Sequence, residues 1–66
     1  MEKKMDHNAY PAMLRTKCDD ALRFIRADAY AAAIAFPDGI NAGYYWDEVN
    51  YCESELYARK ARMGID

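Results

Sequence analysis

Apolar residues recur at three- and four-residue steps through the first half of the chain. This stripe consists of Leu14, Cys18, Ala21, Leu22, Ile25, Ala29, Ala32, Ala33 and Phe36. Such spacing places its members on one face of an α-helix, and no Gly or Pro interrupts residues 12–36. Pro11 suits the first turn of a helix, and Pro37-Asp38-Gly39 is typical of a turn that ends one. The pattern predicts one continuous helix over residues 11–36.

A second helical stripe follows the turn. It consists of Tyr45, Val49, Cys52, Leu56 and Met63, with Arg59 in the place of one apolar residue. Asn41 is a suitable N-cap, and Gly64 suits the C-terminal end, so we expect a helix over residues 42–63. Because the linker is short, the two helices should lie antiparallel. The predicted fold is all-α, a two-helix antiparallel hairpin.

The small size of the chain predicts self-association. A chain of 66 residues buries only about 60% of its unfolded surface, so a monomer would be marginally stable. The segment 27–36 is apolar on every side except at Asp28, and a helix that is apolar all round needs more than one partner. We therefore expect two hairpins to pair into a four-helix homodimer, with a seam of Tyr30, Ala32, Ile34 and Phe36. The simpler alternative is that alanine is only a good helix former.

The two cysteines and the single histidine predict neither a metal site nor a disulfide. A structural zinc site needs about four Cys or His ligands, whereas the chain has Cys18, Cys52 and His7. In the hairpin register the two sulfurs are offset by roughly 13 Å along the helix axis, but bridged Cα atoms lie about 5.5 Å apart. Both thiols should be free core residues, and His7 an ordinary surface residue. We expect no cofactor.

Charge and hydropathy favour a soluble cytoplasmic protein. The net charge is −2, which gives no general attraction to nucleic acid or anionic membranes. The longest apolar run, residues 29–36, is far shorter than the roughly 20 residues of a membrane span. Residues 1–9 are polar and lack periodicity, so we expect a flexible N-terminal arm followed by a single domain over residues 10–66.

An aromatic and acidic cluster at the start of the second helix is the best candidate for a partner-binding site. It contains Tyr44, Trp46 and Tyr51, with Asp47 and Glu48 between them. These aromatics cannot all face one core, and Trp and Tyr are favoured at the centres of protein interfaces. The alternative is that they widen the core, which we expect more of Trp46 than of the two tyrosines.

The segment Gly43-Tyr44-Tyr45-Trp46-Asp47-Glu48-Val49-Asn50-Tyr51-Cys52-Glu53 resembles segments of very small accessory proteins of bacteriophages and prophages. The resemblance covers about a sixth of the chain. It implies a helical, dimeric protein that binds a host protein and blocks it. Implied targets are transcription regulators such as quorum-sensing activators, CRISPR effectors and other defence components.

Two further functions were weighed against this interpretation. An enzyme is not expected, because catalytic carboxylates need a concave, partly dry site and a two-helix hairpin offers none. A small dimeric DNA-binding regulator is the alternative, because folding gathers basic residues at the open end of the hairpin. These residues are Lys3, Lys4, Arg15, Lys17, Arg59, Lys60 and Arg62. Acidic residues at the same end largely cancel their charge, so nucleic acid is the less favoured partner.

Overall fold

The computed structural model describes residues 4–63. It contains three α-helices, α1 (Ala9–Leu14), α2 (Asp19–Ala35) and α3 (Ala42–Arg62). The part of the chain that is described contains no strand, so the predicted all-α class is confirmed. The end of α2 before Pro37 and the start of α3 agree with the sequence pattern. Gly64, the predicted C-terminal stop, lies outside the described residues.

The prediction of one continuous helix over residues 11–36 is wrong, because the chain leaves the helix after Leu14. Cys18 adopts an extended conformation, with φ −76° and ψ 166°, and α2 begins at the next residue. Asp19 and Asp20 occupy the first turn of α2, where negative charge stabilises the positive end of the helix dipole. The unit therefore has three helices rather than two.

The helices α2 and α3 pack antiparallel. Contacts between them pair Asp19 with Arg59, Arg26 with Glu53, and Tyr30 with Trp46. Residue numbers rise along one helix as they fall along the other, which defines the antiparallel direction.

The centre of the core takes one side chain from each helix. Leu14, Leu22 and Cys52 are fully buried and in contact. Partly buried apolar side chains pack around them, namely Tyr10, Ile25, Tyr51 and Leu56. Both thiols are free, as predicted, but only Cys52 is buried. The expectation that Cys18 is a core residue is wrong, because it lies in the exposed break between α1 and α2.

Contacts with α3 hold α1 in place. The hydroxyl of Tyr10 donates a hydrogen bond of 2.7 Å to Glu48, and the ring of Tyr51 lies tilted against that of Tyr10 at 6.0 Å. Before α1, His7 Nδ1 lies 2.7 Å from the Tyr51 hydroxyl, and the Asp6 carboxylate accepts two backbone N–H groups at 2.9 Å. Of the predicted arm over residues 1–9, Asp6 and His7 thus make defined contacts, and residues 1–3 lie outside the described part.

Candidate protein-binding surface

Large apolar side chains are more numerous on the surface than in the core. Within residues 4–63, six hydrophobic residues are buried, and two of these are alanines, whereas nine large hydrophobic residues are exposed. The exposed ones are Met13, Phe24, Tyr30, Ile34, Phe36, Ile40, Trp46, Tyr57 and Met63. Much apolar surface thus has no covering within the chain.

The predicted partner-binding residues do not form one face. Trp46 lies on the side of α3 that meets Tyr30, where the two rings pack edge to face at 5.6 Å. Tyr51 and Glu48 lie on the other side, where they hold α1. Trp46 is 42% exposed and Tyr51 is packed against the core. The expectation that Trp46 belongs to the core more than Tyr51 does is therefore wrong.

Tyr44 and Asp47 line a separate shallow hollow near the N-terminal residues. Its volume is about 340 Å³, and its other lining residues are Lys4, Met5, His7, Ile40 and Gly43. The ring of Tyr44 packs edge-on against Tyr45 at 6.1 Å. The hollow is remote from Trp46 because the 3.6-residue turn directs Tyr44 and Trp46 to different sides of α3.

Beside the Tyr30 ring, a groove runs between α2 and α3. We call it the Tyr30–Trp46 groove because the Trp46 ring, which does not itself line the groove, packs against Tyr30. It has a volume of about 320 Å³ and is lined by Arg26, Ala27, Tyr30, Val49 and Glu53. The Arg26 guanidinium and the Glu53 carboxylate lie 3.6 Å apart across it. The groove continues towards Tyr57, which is 76% exposed, through a wider depression that Arg26 and Glu53 also line.

The predicted dimer seam is only partly exposed. Tyr30, Ile34 and Phe36 are 49%, 54% and 64% exposed, but Ala32 is half-buried. At 3.6 residues per turn, Ala32 and Ile34 lie about 200° apart around α2. The four predicted residues therefore cannot form one flat seam.

A different set of residues forms the exposed face of α2 opposite the core. We call it the outer face: Phe24, Ala27, Ala31 and Ile34, all exposed. Phe24, at 71% exposure, was missed by the sequence reasoning. Its signal was present, since the spacing 24, 27, 31, 34 follows the same three- and four-residue steps.

At the basic end of the helix pair, Arg59 is engaged in internal contacts. Its guanidinium donates to Asp19 at 2.8 Å and to Glu55 at 2.9 Å. It also donates to the Leu14 carbonyl at 3.2 Å, which closes the end of α1. The hydrogen bond from Arg59 lowers the pKa of Glu55, and the hydrogen bond to Asp19 raises the pKa of Arg59. Of the predicted basic cluster, Lys3 lies outside the described residues.

The remaining titratable groups of note lie in or near the core. Burial, and then the hydrogen bond to Glu48, raise the pKa of Tyr10. Burial also raises the pKa of Cys52, so its thiol stays protonated. Among residues 4–63, no group of three or more Cys, His, Asp or Glu side chains could hold a metal ion. Over the same range, the helices are too short or too polar to cross a membrane.

Comparison of the chain with protein-family models, curated proteins and solved structures finds no match.

Proposed function

We propose that this chain is a non-catalytic interaction protein of the small bacteriophage type, which binds and inhibits a protein of the host bacterium. The observation that carries the proposal is the exposure of nine large apolar side chains on so small a chain. Contiguous exposed apolar surface is typical of protein–protein interaction sites, and two of the nine, Tyr30 and Trp46, are in ring contact. The resemblance of residues 43–53 to phage accessory proteins favours a bacterial transcription activator, a quorum-sensing regulator or a CRISPR or other defence component as the target. The cytoplasm of the host cell is the proposed location.

The Tyr30–Trp46 groove is the proposed contact surface for the host protein. Tyr, Trp and Arg are the residues that most often dominate binding energy at interfaces. Tyr30 and Arg26 line the groove, and the exposed Trp46 ring packs against Tyr30. Its rim carries one positive and one negative side chain, Arg26 and Glu53. A complementary partner surface would insert an apolar side chain beside the two rings and pair with both rim charges. Asp47 and Tyr44 would contribute only at the far side of α3.

Affinity capture with a tagged chain tests the proposal. The parent protein should retain a defined bacterial protein from lysate, and the purified pair should then bind with the activity of that protein inhibited. Trp46→Ala should weaken binding of the purified partner about thirtyfold, since truncation at an interface hot spot costs about 2 kcal/mol or more. Ser54→Ala, at an exposed position elsewhere on α3, is the control and should bind like the parent.

Several results would contradict the proposal. A purified partner that binds Trp46→Ala and the parent equally, with unchanged helical signal, would exclude the groove as the contact surface. If the activity of every captured protein were unchanged by binding of the chain, the inhibitory part of the proposal would be excluded. Binding to duplex DNA whose affinity falls steeply with salt, as phosphate contacts require, would instead favour the alternative function, a DNA-binding regulator.

Self-association is the second part of the proposal. The exposed outer face of α2 favours a homodimer of four long helices, with α1 of each copy at the outside. Sedimentation equilibrium at micromolar concentration should give twice the chain mass. A stable monomer would contradict this part and leave the host-binding part to the capture experiment.

A further inference from the structure

The outer face of α2 has the residue spacing of a short coiled-coil seam. Phe24, Ala27, Ala31 and Ile34 correspond to successive a and d positions of a heptad, which are the positions that meet a partner helix. The buried residues Leu22, Ala29 and Ala33 lie on the opposite side of α2. A second helix could therefore pack on the outer face without disturbing the core.

Size and polarity favour a second copy of the chain as the occupant. The seam is made of two large and two small apolar side chains, and the alanines at its middle allow close approach of another backbone. The seam spans ten residues, which is about 15 Å at 1.5 Å each. A seam this short alone would bury less area than a standard interface, which covers about 800 Å² per partner. Phe36 and Ile40, which are 64% and 67% exposed, follow α2 directly. Two parallel copies would bring these residues to the same end and enlarge the contact.

The charges beside the seam determine the orientation. Arg23 precedes the first seam residue and Asp28 follows the second, so they occupy g and e positions on opposite flanks of the outer face. In a parallel pair, a g residue meets the e residue five positions later on the other helix, which pairs each Arg23 with Asp28 of the other copy. An antiparallel pair centred between Ala27 and Ala31 would instead bring the two Asp28 carboxylates together.

The contacts within one chain leave these charges available. Among residues 4–63, Asp28 makes no ion pair. Arg23 contacts only Asp20, at 3.3 Å, with the two side chains 59% and 94% exposed. An ion pair so exposed contributes little, so little is lost when Arg23 turns to a new partner.

We infer that two copies of the chain associate in parallel through the outer face of α2, with Arg23 of each copy paired with Asp28 of the other. This inference rests on the self-association proposed above and specifies its surface and direction. Ala27 belongs to both the seam and the lining of the Tyr30–Trp46 groove, whereas α3 and the other lining residues lie outside the seam on both copies. The homodimer would present two binding grooves at once.

Disulfide cross-linking distinguishes the two directions. In a chain carrying Cys18→Ser, the substitution Ile34→Cys places an exposed thiol at one end of the seam. Parallel packing puts the two introduced cysteines side by side, within reach of the roughly 5.5 Å that bridged Cα atoms require. Antiparallel packing separates them by about 15 Å along the axis. Mild oxidation should therefore give a covalent dimer on a non-reducing gel, whereas Ser54→Cys in the same background should not.

Charge substitutions provide an independent readout by sedimentation. Arg23→Asp and Asp28→Arg should each weaken the homodimer about tenfold, because two attractive contacts become repulsive. Mixing the two variant chains should restore association as a heterodimer, and the chain with both substitutions should dimerise like the parent.

The inference would be overturned if the Ile34→Cys chain, while dimeric under reduction, formed no bridge. It would also be overturned if that chain bridged only to a chain with Phe24→Cys, the antiparallel result. A parent chain that stays monomeric would remove self-association as a whole, whereas capture of a host protein would still be judged by its own experiment.

Discussion

Replacing Tyr51 by alanine tests whether aromatic contacts with α3 hold α1 in the fold. The Tyr51 ring packs against the core cluster and against the rings of Tyr10 and His7. Tyr57 lies six residues later on the same helix and is 76% exposed. The variant Tyr57→Ala is therefore a matched control that removes the same side chain from an unpacked position.

The magnitude of each effect follows from burial. Truncation of a fully buried aromatic side chain to alanine costs about 3–5 kcal/mol, and Tyr51 is half-buried, so we expect a loss of about 2–3 kcal/mol. The buried quarter of Tyr57 amounts to about 50 Å², and at about 25 cal/mol per Å² its loss costs about 1.3 kcal/mol. A chain of this size has about 3–10 kcal/mol of total stability. The Tyr51 variant should thus lose a large share of it.

Urea unfolding followed by circular dichroism, at one chain concentration, measures both effects. A thermal melt of the same variants gives a second readout, because each 1 kcal/mol shifts the thermal midpoint by roughly 4–8 °C in domains of this size. The midpoint of Tyr51→Ala should therefore lie at least 8 °C below that of the parent. Equal stability of the two variants would refute the reasoning, because it would mean that Tyr51 contributes no more packing than an exposed tyrosine.

Three further predictions follow from burial and charge. Leu22→Ala should lower the free energy of unfolding by about 2–5 kcal/mol, and a urea midpoint equal to that of the parent would contradict its place in the core. Cys18 should react with a thiol reagent in the native protein and Cys52 only after unfolding; fast reaction of two thiols in native protein would contradict the burial of Cys52. Because the pKa of Glu55 is lowered in the folded chain, its carboxylate contributes to the free energy of unfolding above about pH 4.5. This contribution is lost as the pH falls through the lowered pKa. The Glu55→Gln variant should therefore lose less stability than the parent on acidification, and parallel pH profiles would exclude the contribution.

The sequence pattern predicted the helical class and the bounds of α3 because those features depend on local periodicity. It did not predict the break before α2, since Leu14 and Leu22 continue the same stripe on either side. The available signal was the pair Asp19 and Asp20, because acidic residues are enriched in the first turn of a helix. Their position favours a helix start rather than the middle of a long helix.

The location of the candidate site depended on that break. If α2 extended as a straight helix back to residue 10, its register with α3 would place Tyr10 opposite the end of the chain. The break instead lets α1 lie along the start of α3, where Tyr10 meets Glu48. Tyr51 and Glu48 are consequently used in packing, whereas Trp46 stays exposed against Tyr30, which lines the groove. A pattern along one helix cannot show which of its sides another helix will cover.

The three contacts of Arg59 have a consequence for how the chain unfolds. One guanidinium joins the last carbonyls of α1, the first turn of α2 and the side chain of Glu55 on α3. None of the three helices can leave the fold without breaking its contact with Arg59. Loss of α1 from the fold would therefore weaken the pairing of the other two helices, and their separation would release α1. Because one side chain contacts all three described helices, the chain should unfold in one cooperative transition, without a populated intermediate.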